Sequence, residues 1–122
     1  MVTIMGTLNN ISFYRYPGRI RLSINLLEKL NYPKYVRFLI NVETKEMAVQ
    51  CSSKEDGQAL KVLYITRASQ GAIAYSTLVL KKIFEELAWD EDSVYRTTEC
   101  SFISDKIAVV NLETAKKVKS NR

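Results

Sequence analysis

Apolar and polar residues alternate in short bursts along the first third of the chain, and each burst ends at a residue that cannot continue it. ISFYRY (11–16) and GRIRLS (18–23) read as two short strands that meet at Pro17-Gly18, a dipeptide that favours a turn. Alternate residues of a strand share a face, so Ile20 and Leu22 point to a core while Arg19 and Arg21 point together the other way. Ser23 then fits an N-cap, its hydroxyl accepting a hydrogen bond from an orphan backbone N–H. The helix it opens, INLLEKLN (24–31), places Ile24, Leu27 and Leu30 at helical spacing, with Leu26 beside them. Asn31 ends it in the left-handed conformation, and Pro33 blocks continuation. YVRFLINV (35–42) and EMAVQC (46–51) are strand-like runs around Glu43-Thr44-Lys45, a hairpin pattern, and SSKEDG (52–57) is a polar loop.

The second half runs in the same order. GAIAYS (71–76) is strand-like, Ser76 can cap, and TLVLKKIFEELAW (77–89) sets Leu80, Ile83, Phe84 and Leu87 on one face. SVYRTTECSFI (93–103) and KIAVVNL (106–112) read as two further strands joined near Ser104-Asp105. Setting Ser23 on Ser76 sets Leu30 on Leu87 and leaves four extra residues in the second helix. That is about one turn at 3.6 residues per turn, which preserves the buried face. Each half is then β-α-β-β, about 11–51 and 71–112, joined by 52–70. The predicted fold class is α+β: duplicated β-α-β-β units forming a small antiparallel barrel-like sheet with short helices packed on it. Chance similarity between two amphipathic segments is the alternative. The apolar run from Leu60 to Ile65 is an extra strand or a short helix bridging the halves, and Arg67 and Ser69 after it belong to no recognisable motif.

Composition narrows the chemistry more than it names it. With 122 residues, 47% hydrophobic and 25% charged, the chain is one ordinary domain with one core. A net charge of +5 fits an anionic partner, although it also serves solubility, and it excludes an acidic mimic of DNA. No apolar run approaches the ~20 residues that span a membrane, and the opening MVTIMGTLNN lacks a basic stretch followed by a long apolar one. The expectation is a cytoplasmic protein without a membrane partner, in which Cys51 and Cys100 are free thiols outside any CxxC spacing. The absence of histidine removes the commonest general base and metal ligand together. Walker loop, GxGxxG, nucleophile elbow and zinc module are all missing. No enzyme, cofactor or metal is expected.

GRIRLSINLLEKLNY (18–32) resembles the swapped-hairpin segment of the AbrB/SpoVT/MazE family, which runs Gly-Arg, an apolar strand, Pro or Ser, a short helix, then Leu-Gly-apolar. KYVRFLINVETKEMAVQ (34–50) follows as that family's final hairpin would. The resemblance covers about residues 11–51 and, weakly, 71–112; MraZ-type proteins likewise hold two copies in one chain. It implies an arginine-bearing hairpin that approaches DNA, with Arg19 as the Arg of Gly-Arg and Arg15 on the preceding strand. The sequence departs from the pattern at Ser23, where Pro is frequent, and at Asn31, where Gly is usual. It also has Leu27 and Glu28 where many members are basic, and Gly71-Ala72 replaces Gly-Arg in the second copy.

Arg21 enters the candidate site through strand periodicity, sharing a face with Arg19, and Arg15 can join them across the turn. Three guanidiniums on one ribbon can contact successive phosphates or fork onto guanine edges, while Tyr14 and Tyr16 can stack on bases or bond phosphates. A solvated strand face is the competing reading. The tail AKKVKSNR, with Lys116, Lys117, Lys119 and Arg122, is either a phosphate-binding arm or a frayed end. Asp90, Glu91 and Asp92 lack EF-hand spacing and read as a solvated loop, and Trp89 as a core anchor. The function expected is a DNA-binding, transcription-regulator-like protein. Its rival is a phage or mobile-element binding module that docks a protein or a small anionic ligand without catalysis. A homo-oligomer through exposed strand edges stays open.

Overall fold

In the computed structural model, which describes residues 9–65, 71–90 and 95–118, the period-two segments become strands of two antiparallel sheets. In chain order the elements are β1 (Asn10–Tyr14), β2 (Arg19–Leu22), α1 (Ile24–Lys29), β3 (Tyr35–Asn41) and β4 (Glu46–Ser52). Then come β5 (Leu60–Lys61), β6 (Leu63–Tyr64), β7 (Ala72–Tyr75), α2 (Thr77–Glu86) and β8 (Tyr95–Glu99). Last are β9 (Ser101–Ser104), β10 (Ile107–Asn111), a 3-10 turn (Leu112–Thr114) and β11 (Lys116–Val118). The six-stranded sheet has the order β11-β8-β1-β2-β7-β6 and the five-stranded sheet β5-β3-β4-β10-β9. The fold is therefore mixed α+β, and neither sheet closes on itself.

One core joins the inner faces of both sheets to the helices. Ile11, Phe13, Ile20, Leu22 and Ala72 come from the first sheet, and Val36, Met47, Val49, Ala108 and Val110 from the second. Leu26 and Leu27 of α1 and Leu80, Ile83 and Phe84 of α2 complete it. Trp89 is half-buried and anchors the end of α2, its ring 5.1 Å from Phe84 and 5.8 Å from Phe13. Among the described residues, no helix is long and apolar enough to cross a membrane.

Both helices start and stop by the same bonds. Ser23 Oγ accepts from the Leu26 N–H at 3.3 Å and from the Asn10 N–H at 3.0 Å, tying the helix start to β1. Ser76 Oγ accepts from the Val79 N–H at 3.1 Å. At the other end the Tyr32 N–H donates to Leu27 O at 2.8 Å and the Trp89 N–H to Phe84 O at 2.9 Å. The residues just before, Asn31 and Ala88, both take positive φ, 62° and 54°. The strands ahead of the helices do not correspond in this way. The alignment on the two serines sets Ile20 on Ile73 and Arg19 on Ala72, yet Ile20 and Ala72 are buried while Arg19 and Ile73 face out. The reason lies in the pairing of β2 with β7, which places Arg19 opposite Tyr75 and Leu22 opposite Ala72. Opposed residues share a face, so the register with β2 dictates which residues of β7 turn inward.

Three sequence-based expectations change. Residues 95–103, the described part of the run expected as one strand, divide between the sheets: β8 lies in the six-stranded sheet and β9 in the five-stranded one, with Cys100 buried at the crossing. Its N–H donates to Asn9 O at 2.8 Å. Of the strand and the helix expected over Leu60–Ile65, the strand holds but is divided between the sheets, β5 on β3 and β6 on β7, with buried Val62 at the corner. The tail does not fray at once, because Lys116–Val118 pairs with β8, and Lys117 reaches Asp90 at 3.2 Å. Arg67, Ser69, Glu91, Asp92, Lys119 and Arg122 lie outside the described residues.

Burial, with Glu99 adding to it, pushes the Cys100 thiol up to about 12. Cys51, whose Sγ donates to Leu30 O at 3.5 Å, is raised by burial as well. The thiolate is the reactive form, so at pH 8 both thiols are expected to resist iodoacetamide in the folded protein and to alkylate in urea. Mass spectrometry reads this, and fast labelling of Cys100 in the native state would contradict the burial described.

Candidate nucleic-acid interface

The outer face of the six-stranded sheet collects polar, aromatic and cationic side chains in cross-strand rows. Because Ile11, Phe13, Ile20 and Leu22 turn inward, Ser12, Tyr14, Arg19 and Arg21 are left facing out. Tyr14 stands opposite Arg19, and Arg19 opposite Tyr75. On the other flank Tyr14 stacks on Tyr95 of β8, with ring centroids 4.5 Å apart and planes 21° from parallel. The Arg19 guanidinium lies 4.3 Å from the Tyr14 ring centre. Since β8 and β2 flank β1, the Tyr14 ring is held between a phenol and a guanidinium. Such contacts contribute on the order of 1 kcal/mol each and fix the orientation of both partners.

The next row is polar. Ser12 faces Arg21 on one side and Thr97 on the other, and Lys116 of β11 lies opposite Thr97. Ser12 Oγ donates to Thr97 Oγ1 at 3.1 Å, which itself donates to Ile11 O at 3.1 Å. At this end of the sheet a cavity of about 410 Å³ is lined by Asn10, Thr97, Thr98, Glu99, Thr114 and Lys116.

The electrostatics of the first row follow from its packing. Burial, then the neighbouring Tyr95, pushes the Tyr14 hydroxyl above its ordinary range against the pull of Arg19 and Arg21. An O–H donor at neutral pH even at its ordinary value, it stays one further into the alkaline range. Arg19 has no carboxylate within ion-pair distance among the described residues, and its Nε is buried without a hydrogen-bond partner. Arg37 on the other sheet contrasts with it. Its Nε lies 3.5 Å from Asp56 Oδ2 and its Nη2 donates to Gln58 Oε1 at 3.0 Å. Asp56 is held below the usual carboxylate range by the Gln58 N–H and the Ser52 hydroxyl, with Arg37 contributing less.

Of the sequence-predicted site residues, Tyr14, Arg19 and Arg21 share the face as expected. Arg15 does not continue it. The strand ends at Tyr14, and Arg15 belongs to the turn, where its guanidinium lies 4.7 Å from the Tyr16 ring centre. The phase of a strand explains the difference: Tyr14 is the outward residue, so its neighbour cannot be. The role for Tyr14 as a base-stacking platform also changes, because both faces of its ring are occupied. Ring edges, hydroxyls and guanidinium N–H groups are what the row presents, and these suit phosphate and sugar oxygens. Tyr75, Tyr95 and Thr97 were missed, and Lys116 was read only as part of the basic tail and not as a neighbour of Thr97. Period two pairs Tyr95 with Thr97 on one face, but only the strand order sets that face beside Tyr14. Among the described residues, no group of three His, Cys, Asp or Glu side chains could hold a metal. Comparison with protein-family models, with curated proteins and with solved structures finds no match to this chain.

Proposed function

We propose that the protein binds duplex DNA through the outer face of the six-stranded sheet, as a non-catalytic transcription regulator of the swapped-hairpin kind. The observation that carries this reading is the row Tyr95–Tyr14–Arg19, with Arg21 beside it: preorganised donors on an open strand face of a chain with net charge +5. Arginines ordered in this way act first as phosphate positioners and then as readers of guanine edges. The equivalent caps and C-terminal bonds of α1 and α2 support descent from a duplicated β-α-β-β unit. So does the antiparallel pairing of β4 with β10, the last strands of the two halves. The arginines of the row belong to the first copy, since Ala72, where that copy has Arg19, turns into the core, while Tyr95 comes from the second.

Salt tests the reading. Fluorescence anisotropy on a mixed-sequence 20-bp duplex between 50 and 200 mM KCl should show log K falling linearly with log salt. Two neutralised phosphates give a slope of roughly −1.8, and each further contact about −0.9 more. Affinity indifferent to salt over that range would remove the proposal.

A further inference from the structure

We infer that the rim of this face formed by Tyr16, Tyr75 and Leu78 is a wedge that enters the base stack and bends the duplex. The inference rests on the DNA-binding reading above. Leu78 is 80% exposed, Tyr16 63% and Tyr75 48%. Single exposed apolar residues need no explanation, but these three lie on chain segments that meet at one end of the sheet. The fold places them together. Tyr75 stands opposite Arg19 in the β2–β7 ladder, and the Ser76 N–H donates to Gly18 O at 2.9 Å. Gly18 packs so closely on the start of α2 that a Cβ there would sit 3.0 Å from Thr77 Cα. The turn carrying Tyr16 and the first helical turn carrying Leu78 are therefore one rim.

Core packing does not account for Leu78. The buried stripe of α2 is Leu80, Ile83 and Phe84. Two positions from Leu80, Leu78 is rotated about 200° away from that stripe at ~100° per residue. The surroundings identify the occupant by charge. Arg15 lies over Tyr16 at 4.7 Å and Arg19 shares its row with Tyr75, so the apolar rim is bordered by guanidiniums. A polyanion with apolar faces inside its charged shell satisfies both, and a nucleic-acid duplex has that construction. Aliphatic side chains inserted between base steps, flanked by arginines on the phosphates, kink duplexes by roughly 20–90°.

The experiment uses a 30-bp mixed-sequence duplex with a donor and an acceptor dye at its two ends, saturated with the full chain. Wild type should raise transfer efficiency, reporting a shortened end-to-end distance. Leu78→Ala, at an exposed position that folding does not need, should keep the salt slope of binding while losing at least half of that rise. Leu78→Lys should bind with a slope steeper by about 1, from the added cation, and still fail to bend. A wild-type complex that forms without any change in transfer overturns the wedge and leaves the backbone-binding reading intact. A rise that persists undiminished in both variants also overturns it. Absence of binding at every salt concentration removes the DNA reading, and the wedge with it.

Discussion

Replacing Arg19 and Arg21 together by alanine is expected to weaken binding to duplex DNA by on the order of 100-fold at 100 mM salt. Hydrogen bonds to charged groups contribute about 1.5–3 kcal/mol each, and about 1.4 kcal/mol is tenfold in affinity. The salt slope should flatten by about 2, one for each phosphate contact removed. Arg37→Ala is the matched control, because it removes the same charge from the other sheet, where Asp56 and Gln58 already hold the guanidinium. Its effect should stay within about twofold. Equal losses from the two changes would mean that net charge alone drives association and that the ordered row has no part in it.

Gly71→Ala should be the most damaging single-methyl change in the described chain. Gly71 has φ +88°, and a Cβ built on it would lie 2.2 Å from Leu22 O, 3.2 Å from Leu22 C and 3.3 Å from Ile24 N. All three are backbone atoms at the junction of β2 and α1, so no side chain can swing aside. The left-handed conformation costs an L-residue about 1–2 kcal/mol before any clash, and displacing the strand end adds at least as much. A loss of about 3 kcal/mol or more, with a melting temperature lower by roughly 10 °C, is expected in urea and thermal unfolding. Gly57→Ala gives the contrast: a Cβ there meets nothing within 4 Å, and stability should change by less than about 1 kcal/mol, toward the stable side. If Gly71→Ala were as neutral as Gly57→Ala, the close approach of residue 71 to α1 would be wrong.

The parts of the fold that were legible in sequence are those governed by bonds a few residues long. The Ser23 and Ser76 caps, the left-handed Asn31 and the Glu43–Lys45 turn each follow from side chains competing for nearby backbone groups. At the last of these Asn41 Oδ1 accepts from the N–H groups of Glu43 and Thr44, and Lys45 takes φ 60°. The outward direction of Arg19 and Arg21 was equally legible, since Ile20 and Leu22 are the only apolar residues of that strand. The sheet crossings at Val62 and Cys100 were not. A strand that changes sheets keeps its apolar run unbroken, and nothing in YRTTECSFI marks where one ladder ends and another begins. For the same reason the basic tail read as an arm or a frayed end, when the place of Lys116–Val118 beside β8 depends on an edge that exists only after folding.

Alone, then, the sequence determined the first hairpin, the starts of both helices, the end of the first and the two arginines that this hairpin turns outward. These depend on backbone sterics, capping and the period of a strand, all of which act over a few residues. The tertiary structure decided which strands stand side by side. That choice reversed the faces of Ile73 and Ala72 relative to their counterparts and brought Tyr95 and Tyr75 to flank Tyr14 and Arg19. Cross-strand neighbours are selected by burial of whole faces against a shared core. A surface assembled from four strands is therefore a property of their register and not of any one segment.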